Sequence, residues 1–245
     1  MPAMAQKKAW EEEYKAKRLV GGNKPALSLR VFAKWLKKQR KAEELIENPG
    51  FAFQGISVLD LGSGEGKNAL YMAERGAHVT GIEIAENAVA VSRERAGQKS
   101  RELRLAGGSL EYKAGSIGSP FSVKDASVDL VLDVTSSNSL STPEREVYLS
   151  ESSRVLKQGG HMFVRALCRD SDDNAKQLLI DNPGPEEGTY VMPETGIVER
   201  VFTEKEIRDL YEKYFNILRL EKEFHYTKMS GRSYKRAFWI MYLSK

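Results

Sequence analysis

The sequence predicts an α/β fold, and three stretches carry that expectation. Residues 56–61 (Ile-Ser-Val-Leu-Asp-Leu) form a short apolar, partly β-branched run that reads as a buried strand. Gly62, Gly64 and Gly66 break the run, and Ala69, Leu70, Met72 and Ala73 then recur at helical spacing. A second apolar run over 77–84 ends at Glu83, twenty-one residues beyond Gly62.

A strand, a tight glycine turn and a helix make a ligand-binding joint. Glycine supplies φ > 0 and lets backbone approach a bound molecule. The helix N-terminus offers unpaired N–H groups and a partial positive charge to an anion. Spacing sorts the ligands that use such joints. A dinucleotide fingerprint counted from Gly62 would need a third glycine where Lys67 stands. A phosphate-cradling P-loop would need Gly at Leu61 and Ser or Thr at Asn68. An ordinary strand-to-helix turn is the bland alternative.

The surviving pattern, Asp60-Leu-Gly62-Ser63-Gly64-Glu-Gly66, resembles the first motif of the class I S-adenosylmethionine-dependent methyltransferases, small-molecule type. The resemblance implies a three-layer Rossmann-like sandwich with N-terminal helices. Its seven-stranded, mostly parallel sheet would have a reversed last strand. It also implies S-adenosylmethionine as cofactor, with the glycine turn against its methionine moiety. Glu83 at the tip of the second strand would accept hydrogen bonds from both ribose hydroxyls, and Ile84 would pack on the adenine.

Composition sets bounds. The chain has 245 residues, enough for one full α/β core with an appendage, and a 41% hydrophobic fraction ordinary for soluble domains. No run approaches the roughly eighteen apolar residues of a membrane span, and the first residues lack the apolar segment of a secretory signal. Cys168 is the only cysteine, and His78, His161 and His225 are scattered, so neither a disulfide nor a metal motif is expected. A reducing, cytoplasmic setting is the default. The net charge of +4 is uneven. Residues 1–41 hold twelve Lys and Arg against three Glu, a net of +9, and the remainder is net −5.

Residues 7–18 read as a short helix with Trp10 and Tyr14 one turn apart. Residues 27–46 read as a second, with an apolar stripe of Leu29, Phe32, Trp35 and Leu36 and lysines around its other faces. Such a helix is a lid, a nucleic-acid contact, or simply a solvated amphipathic helix packed on the domain. The Trp10/Tyr14 pair is similar to an N-terminal Trp-x-x-x-Tyr of small-molecule family members, which implies that residues 1–48 form a lid or appendage and that Tyr14 borders the cofactor. Asn48-Pro49-Gly50 marks the boundary with the domain at 49–245.

Residues 86–97 read as a helix, and 109–114 and 127–133 as strands. Family members often carry Gly-Asp after the third strand, where the Asp bonds adenine; here Gly115 is followed by Ser116 and Ile117, which would take over that contact. Asp133 and Val134 match the fourth motif, bordering sulfonium and substrate. The Asn/Asp-Pro-Pro-Tyr signature of nucleobase and glutamine amino-methyltransferases is absent. Thr142 is expected to cap the next helix, with Pro143 at its first position. That helix runs into Glu151-Ser-Ser-Arg-Val-Leu-Lys-Gln-Gly-Gly160, similar to a family Glu-x-x-Arg-Val-Leu-Lys-Pro-Gly-Gly, whose glycines would end it and start a strand over 161–167.

Residues 168–202 read as irregular and rich in Asp, Glu, Gly and Pro, a long insertion expected on the substrate side. Phe202-Thr203-Glu-Lys-Glu206 opens a last helix with a capping box. Strands at about 217–226 and 235–243 follow, with Gly231-Arg232 in the turn. The implied chemistry is in-line displacement at an electrophilic methyl, which alignment and desolvation can drive without an obligatory base. No catalytic residue is therefore named; Cys168, Tyr190, Arg200, His225 and Tyr226 are candidates for the pocket. A small-molecule acceptor is expected, on a monomer or homodimer with no membrane partner. Its net-acidic body argues against nucleic acid. A methyltransferase acting on RNA or protein, supported only by the basic N-terminal segment, and a non-catalytic scaffold are the alternatives.

Overall fold

A computed structural model of the chain describes residues 3–16, 22–44, 53–229 and 232–245. The expected boundary at Asn48-Pro49-Gly50 and the Gly231 part of the last turn lie outside the described residues. In chain order the elements are α1 (Ala3–Ala16), α2 (Leu27–Glu44), β1 (Ser57–Leu61), α3 (Lys67–Ala73), β2 (His78–Glu83), α4 (Glu86–Gln98), α5 (Ser100–Leu105) and β3 (Ser109–Ala114). They continue with β4 (Val128–Val134), α6 (Thr142–Val155), β5 (Leu156–Leu167), α7 (Asp173–Asp181), β6 (Thr189–Val191), β7 (Val198–Arg200), α8 (Glu204–Tyr211), β8 (Asn216–Met229) and β9 (Arg232–Ser244).

Seven strands form one sheet in the order β3-β2-β1-β4-β5-β9-β8. The first five pair in parallel, and β9 runs antiparallel to both β5 and β8. Only the last strand is reversed, as expected. Side chains alternate across the sheet. Leu59 and Leu61 of β1, Val131 and Val164 pack with Tyr148 and Leu149 of α6 and Ile207 of α8. Val58, Leu130, Leu132 and Phe163 pack on the opposite face with Phe32 of α2, Met72 of α3 and Val89 of α4. The result is three layers, helix–sheet–helix.

The apolar stripe of α2 decides where that helix lies. Leu29, Phe32 and Leu36 are buried, and Phe32 meets Phe163 and Tyr242 at centroid distances of 5.0 and 4.8 Å. Each such side chain contributes about 1.5–3 kcal/mol when fully buried, more than a solvated lysine on the far face offers elsewhere. The helix packs as a layer of the sandwich.

Three local expectations change. Ser141, not Thr142, is the N-cap of α6: its hydroxyl and backbone N–H both bond Glu144 in a capping box. Pro143 thus stands two positions inside the cap, where its missing N–H falls among the helix's unpartnered first donors. The helix ends at Val155, ahead of the Gly159-Gly160 pair, and the chain passes straight into β5. Residues 168–202 are ordered, with α7 and the β6–β7 hairpin folded inside them. A buried polar network holds that segment to the sheet. Asp172 caps α7 through Ala175 N–H (2.8 Å) and accepts from Arg236 Nε (2.8 Å) and Ala237 N–H (3.0 Å) on β9. Arg236 continues to the Tyr190 hydroxyl, which donates to Glu199.

Candidate active site

Where a parallel sheet changes direction of winding, the C-terminal strand ends splay and leave a crevice. Here that point lies between β1 and β4, and the 62–66 turn stands in it. Gly62 has φ 64° and Gly64 φ 53°. A Cβ at Gly62 would sit 2.3 Å from Ser136, and one at Gly64 would sit 2.7 Å from the Tyr14 hydroxyl. Both conformation and space therefore demand glycine at these two positions.

The turn is tied to the tip of β2. Ser63 N–H donates to the Ile82 carbonyl (3.0 Å), and Gly64 N–H to Glu83 Oε2 (2.9 Å). Glu83 Oε1 accepts from Ala85 N–H (2.8 Å). Burial pushes the Glu83 carboxyl up, and the N–H donors of Ala85, Gly64 and Ile84 hold it down. Each oxygen keeps a second lone pair for a ligand.

Two further acids stand near Glu83. Asp60 is pushed up to about 8 by burial and by the charges of Asp133 and Glu83, and its Oδ2 has no hydrogen-bond partner. Asp133 is fully buried; it accepts from Ser136 N–H (2.9 Å), Ser137 N–H (3.3 Å) and the Tyr148 hydroxyl (2.7 Å). Among the described residues, neither Asp60 nor Asp133 lines the adjoining cavity. They shape its floor and its field from behind.

That cavity, about 440 Å³, is bordered by Tyr14, Gly62, Ser63, Gly64, Glu83, Ile84, Ser116, Ile117 and Val134. Nine of the eleven residues the sequence reading assigns to the cofactor thus share one hollow. Ser116 Oγ accepts from Gly118 N–H at 3.1 Å. Gln6, Trp10 and Tyr14 of α1 form one wall, and 24–28 another. Three contacts moor α1. Gln6 bonds Val198 and the Ser139 carbonyl, Lys7 pairs with Glu86 at 2.6 Å, and Glu11 accepts from the first N–H groups of α4.

On the other side of the switch point, Arg165 of β5 and Glu223 and His225 of β8 line the same cavity. Glu223 Oε2 lies 3.1 Å from both Arg165 Nε and His225 Nε2. Of the five pocket candidates only His225 reaches the cavity. Cys168 and Tyr190 are buried elsewhere, Arg200 pairs with Glu206, and Tyr226 is 76% exposed. No residue of 168–202 is among the described lining; that segment reaches the site through Val198 and Gln6. Sequence reading missed Arg165 and Glu223. A signal was present for the first: a cation inside the apolar 161–167 strand pattern is rare without a partner or a role. Among the described residues no cluster of three or more His, Cys, Asp and Glu could hold a metal.

The seven-stranded order, the reversed β9 and a glycine turn beside an acidic β2 tip together define the class I, Rossmann-like methyltransferase architecture. Residues 59–164 match the family model described as a methyltransferase domain, and this stretch of the chain is such a domain. The chain is 31% identical over 135 residues to a ubiquinone biosynthesis O-methyltransferase of Idiomarina loihiensis, covering 55% of this chain and 50% of that one. It is 27% identical over 175 residues to phosphoethanolamine N-methyltransferase 1 of Triticum aestivum, covering 71% of this chain and 32% of that one. The chain thus spans about half or less of these relatives' length. Among solved structures, a Methanosarcina mazei S-adenosylmethionine-dependent methyltransferase superposes with TM-score 0.66 at 26% identity, over 78% of this chain and 92% of that one. A Burkholderia thailandensis 1,6-didemethyltoxoflavin-N1-methyltransferase with bound S-adenosylhomocysteine shares the fold with TM-score 0.66 at 17% identity, over 99% and 88%.

The residues present fit S-adenosylmethionine. Asp60, Glu83 and Asp133 crowd negative charge that raises Asp60, and a sulfonium cation nearby would relieve it. Ser63 and Ser139 border the cavity, although their hydroxyls are buried and without a partner among the described residues. At Gly62 and Gly64 the turn offers bare backbone to the cavity.

Proposed function

We propose that this chain transfers a methyl group from S-adenosylmethionine to a nucleophilic atom of a small molecule. One observation carries the reading: a single cavity runs from Glu83 on β2, past the glycine turn, to Arg165 on β5, and α1 walls it. Its volume falls in the range of small-molecule sites. The names of the relatives, a ubiquinone biosynthesis O-methyltransferase and a phosphoethanolamine N-methyltransferase, and of the fold neighbour, a 1,6-didemethyltoxoflavin-N1-methyltransferase, support the same class of acceptor.

The cofactor supplies an electrophilic methyl whose leaving group is a neutral thioether. The protein's share is placement. Glu83 holds the ribose hydroxyls, Ile84 and Ile117 flank the adenine with Ser116, and the 62–66 turn sets the methionine end against Tyr14. Asp60 stands behind the turn, Asp133 holds the Ser136–Ser137 backbone beside it, and Val134 borders the reacting end. Residues 1–48 act as lid and appendage to the domain at 49–245, and Trp10 and Tyr14 exclude water. Holding two reactants in line and dry accounts for most of the acceleration such a site needs. The single cysteine, Cys168, buried and free, suits a reducing, cytoplasmic setting, and a monomer or homodimer is the proposed assembly. No described helix is long and apolar enough to cross a membrane.

Calorimetry should find one S-adenosylmethionine or S-adenosylhomocysteine site per chain that NAD and ATP do not contest. Incubation with labelled cofactor and separate pools of metabolites, RNA and protein should label the metabolites. Label chiefly in RNA or protein at physiological salt would reverse the acceptor class. Tighter binding of NAD would end the methyltransferase reading.

A further inference from the structure

Arg165 differs from Arg236, Arg145 and Arg154, three arginines that the fold bonds through their Nη groups. Arg236 spends Nε on Asp172 and Nη2 on Tyr190. Arg145 spends both Nη groups on the Ser137 and Leu140 carbonyls at 2.6 Å. Arg154 bonds Glu151, Asp125 and two carbonyls. Arg165 uses Nε alone, toward Glu223 at 3.1 Å, and among the described residues its Nη1 and Nη2 have no acceptor. Those two nitrogens are not sealed off either: they are absent from the buried unpartnered atoms, and the side chain, 15% exposed, lines the cavity.

The guanidinium is also held rigid. Its carbon lies 3.4 Å from the centroid of the Phe238 ring, and Glu223, which fixes its Nε edge, is itself held by His225 at 3.1 Å. Stacked on one face and anchored on one edge, Arg165 presents the remaining edge in a fixed fork that matches a carboxylate or phosphate. Because no described acceptor competes for this edge, an oxyanion entering the cavity can take both donors at once. Lys67 stands across the cavity, and its ammonium is pushed down by burial and then by the Arg165 charge. An oxyanion on the Arg165 fork would offset the charge that Arg165 adds there. The Glu83 end is different, since acids crowd it. Arg165 lies two strands from β1, on the far side of the switch point from Glu83.

Resting on the methyltransferase reading above, we infer that the methyl acceptor is a small anion, held through carboxylate or phosphate oxygens by the two Nη groups of Arg165. The charge is the handle by which the acceptor is placed, and the nucleophilic atom lies elsewhere on it, toward the glycine turn. Specificity of this kind is steep, because an uncharged analogue leaves the fork unpaired.

The test uses the full chain saturated with S-adenosylhomocysteine, titrated calorimetrically with benzoate, phenyl phosphate and the neutral benzamide at fixed ionic strength. One or both acids should bind at least tenfold more tightly than benzamide, and whichever acid wins names the oxyanion. Arg165→Met should erase that preference and Arg165→Lys should restore part of it, while S-adenosylhomocysteine affinity, which also reports folding, stays within threefold. The inference is overturned by equal binding of acid and amide, or by no acid binding at 10 mM. It is equally overturned by an acid preference that survives Arg165→Met, or by parallel loss of S-adenosylhomocysteine, which would place Arg165 on the cofactor. If the unaltered chain fails to bind S-adenosylhomocysteine, the methyltransferase reading falls, and the acid titration on the bare chain still decides whether Arg165 binds an anion.

Discussion

Glu11 reaches from α1 to Asn87 and accepts two hydrogen bonds from it, at 3.2 Å from the backbone N–H and 2.6 Å from Nδ2. The same carboxylate takes the Glu86 N–H at 2.6 Å. Helix α4 needs this, because its own N-cap, Ala85, has no side-chain oxygen to offer. A carboxylate there also meets the positive end of the helix dipole. The helix that starts next to Glu83 is thus capped by the element that walls the cavity. The α1 wall and the start of α4 beside the β2 tip therefore share one contact.

Glu11→Ala should therefore act at the cofactor site without touching it. Loss of a cap costs about 1 kcal/mol, enough to loosen α1. The expected result is several-fold weaker S-adenosylhomocysteine binding and faster proteolysis within residues 1–25, with a small drop in Tm. Unchanged protease sensitivity would mean that Gln6 and Lys7 moor α1 without Glu11.

Glu83 has two duties, and two substitutions separate them. Glu83→Ala removes the acceptor for Gly64 and Ala85 N–H as well as the ribose contact, so stability and cofactor binding should each fall by about 1–3 kcal/mol. Glu83→Gln keeps one acceptor oxygen and should spare much of the stability while still weakening binding. Denaturant titration and calorimetry on both variants read the split. Full cofactor affinity in the Ala variant would remove Glu83 from the ribose site.

Asp60 predicts a pH dependence with a definite sign. Its carboxyl is pushed up to about 8 in the folded chain, above the unfolded carboxylate value near 3.9. The folded state then binds more protons than the unfolded one between about pH 4 and pH 8, so stability falls as pH rises through that window. Asp60→Asn, which cannot ionise, should flatten the profile of Tm between pH 5 and 8 and raise Tm at the alkaline end. An identical slope in the variant would assign the dependence to Glu83 or Asp133.

Arg236 and Asp172 form the ion pair that pins residues 168–202 to β9, at 2.8 Å and nearly fully buried. Arg236→Met leaves Asp172 charged and unpaired in the interior, which should cost about 3–5 kcal/mol. The double variant Asp172→Asn/Arg236→Met should recover part of this, because the orphaned charge is gone. Urea unfolding of both checks the order; a double variant no more stable than the single would show that the hydrogen bonds, not the charge, dominate.

Much of the molecule was legible in one dimension because its signals are local. The β1 run, the Gly62/Gly64 turn, Glu83 at its register and the Thr203–Glu206 capping box each span a few residues, and strand sterics or turn chemistry act at that range. The errors have two causes, one local and one long-range. The Ser141 cap was displaced by one residue because Thr142 and Ser141 are chemically equivalent there. The 168–202 stretch read as irregular because its order comes from Asp172 and Tyr190 meeting Arg236, some sixty and forty-six residues away. The same holds at the site. That Asp133 turns its carboxylate to Tyr148 and away from the cavity, that Glu11 caps α4, and that Arg165, Glu223 and Phe238 lock into one fork all depend on pairings across strands and layers. No periodicity or spacing encodes such pairings, because they arise from packing of segments far apart in the chain.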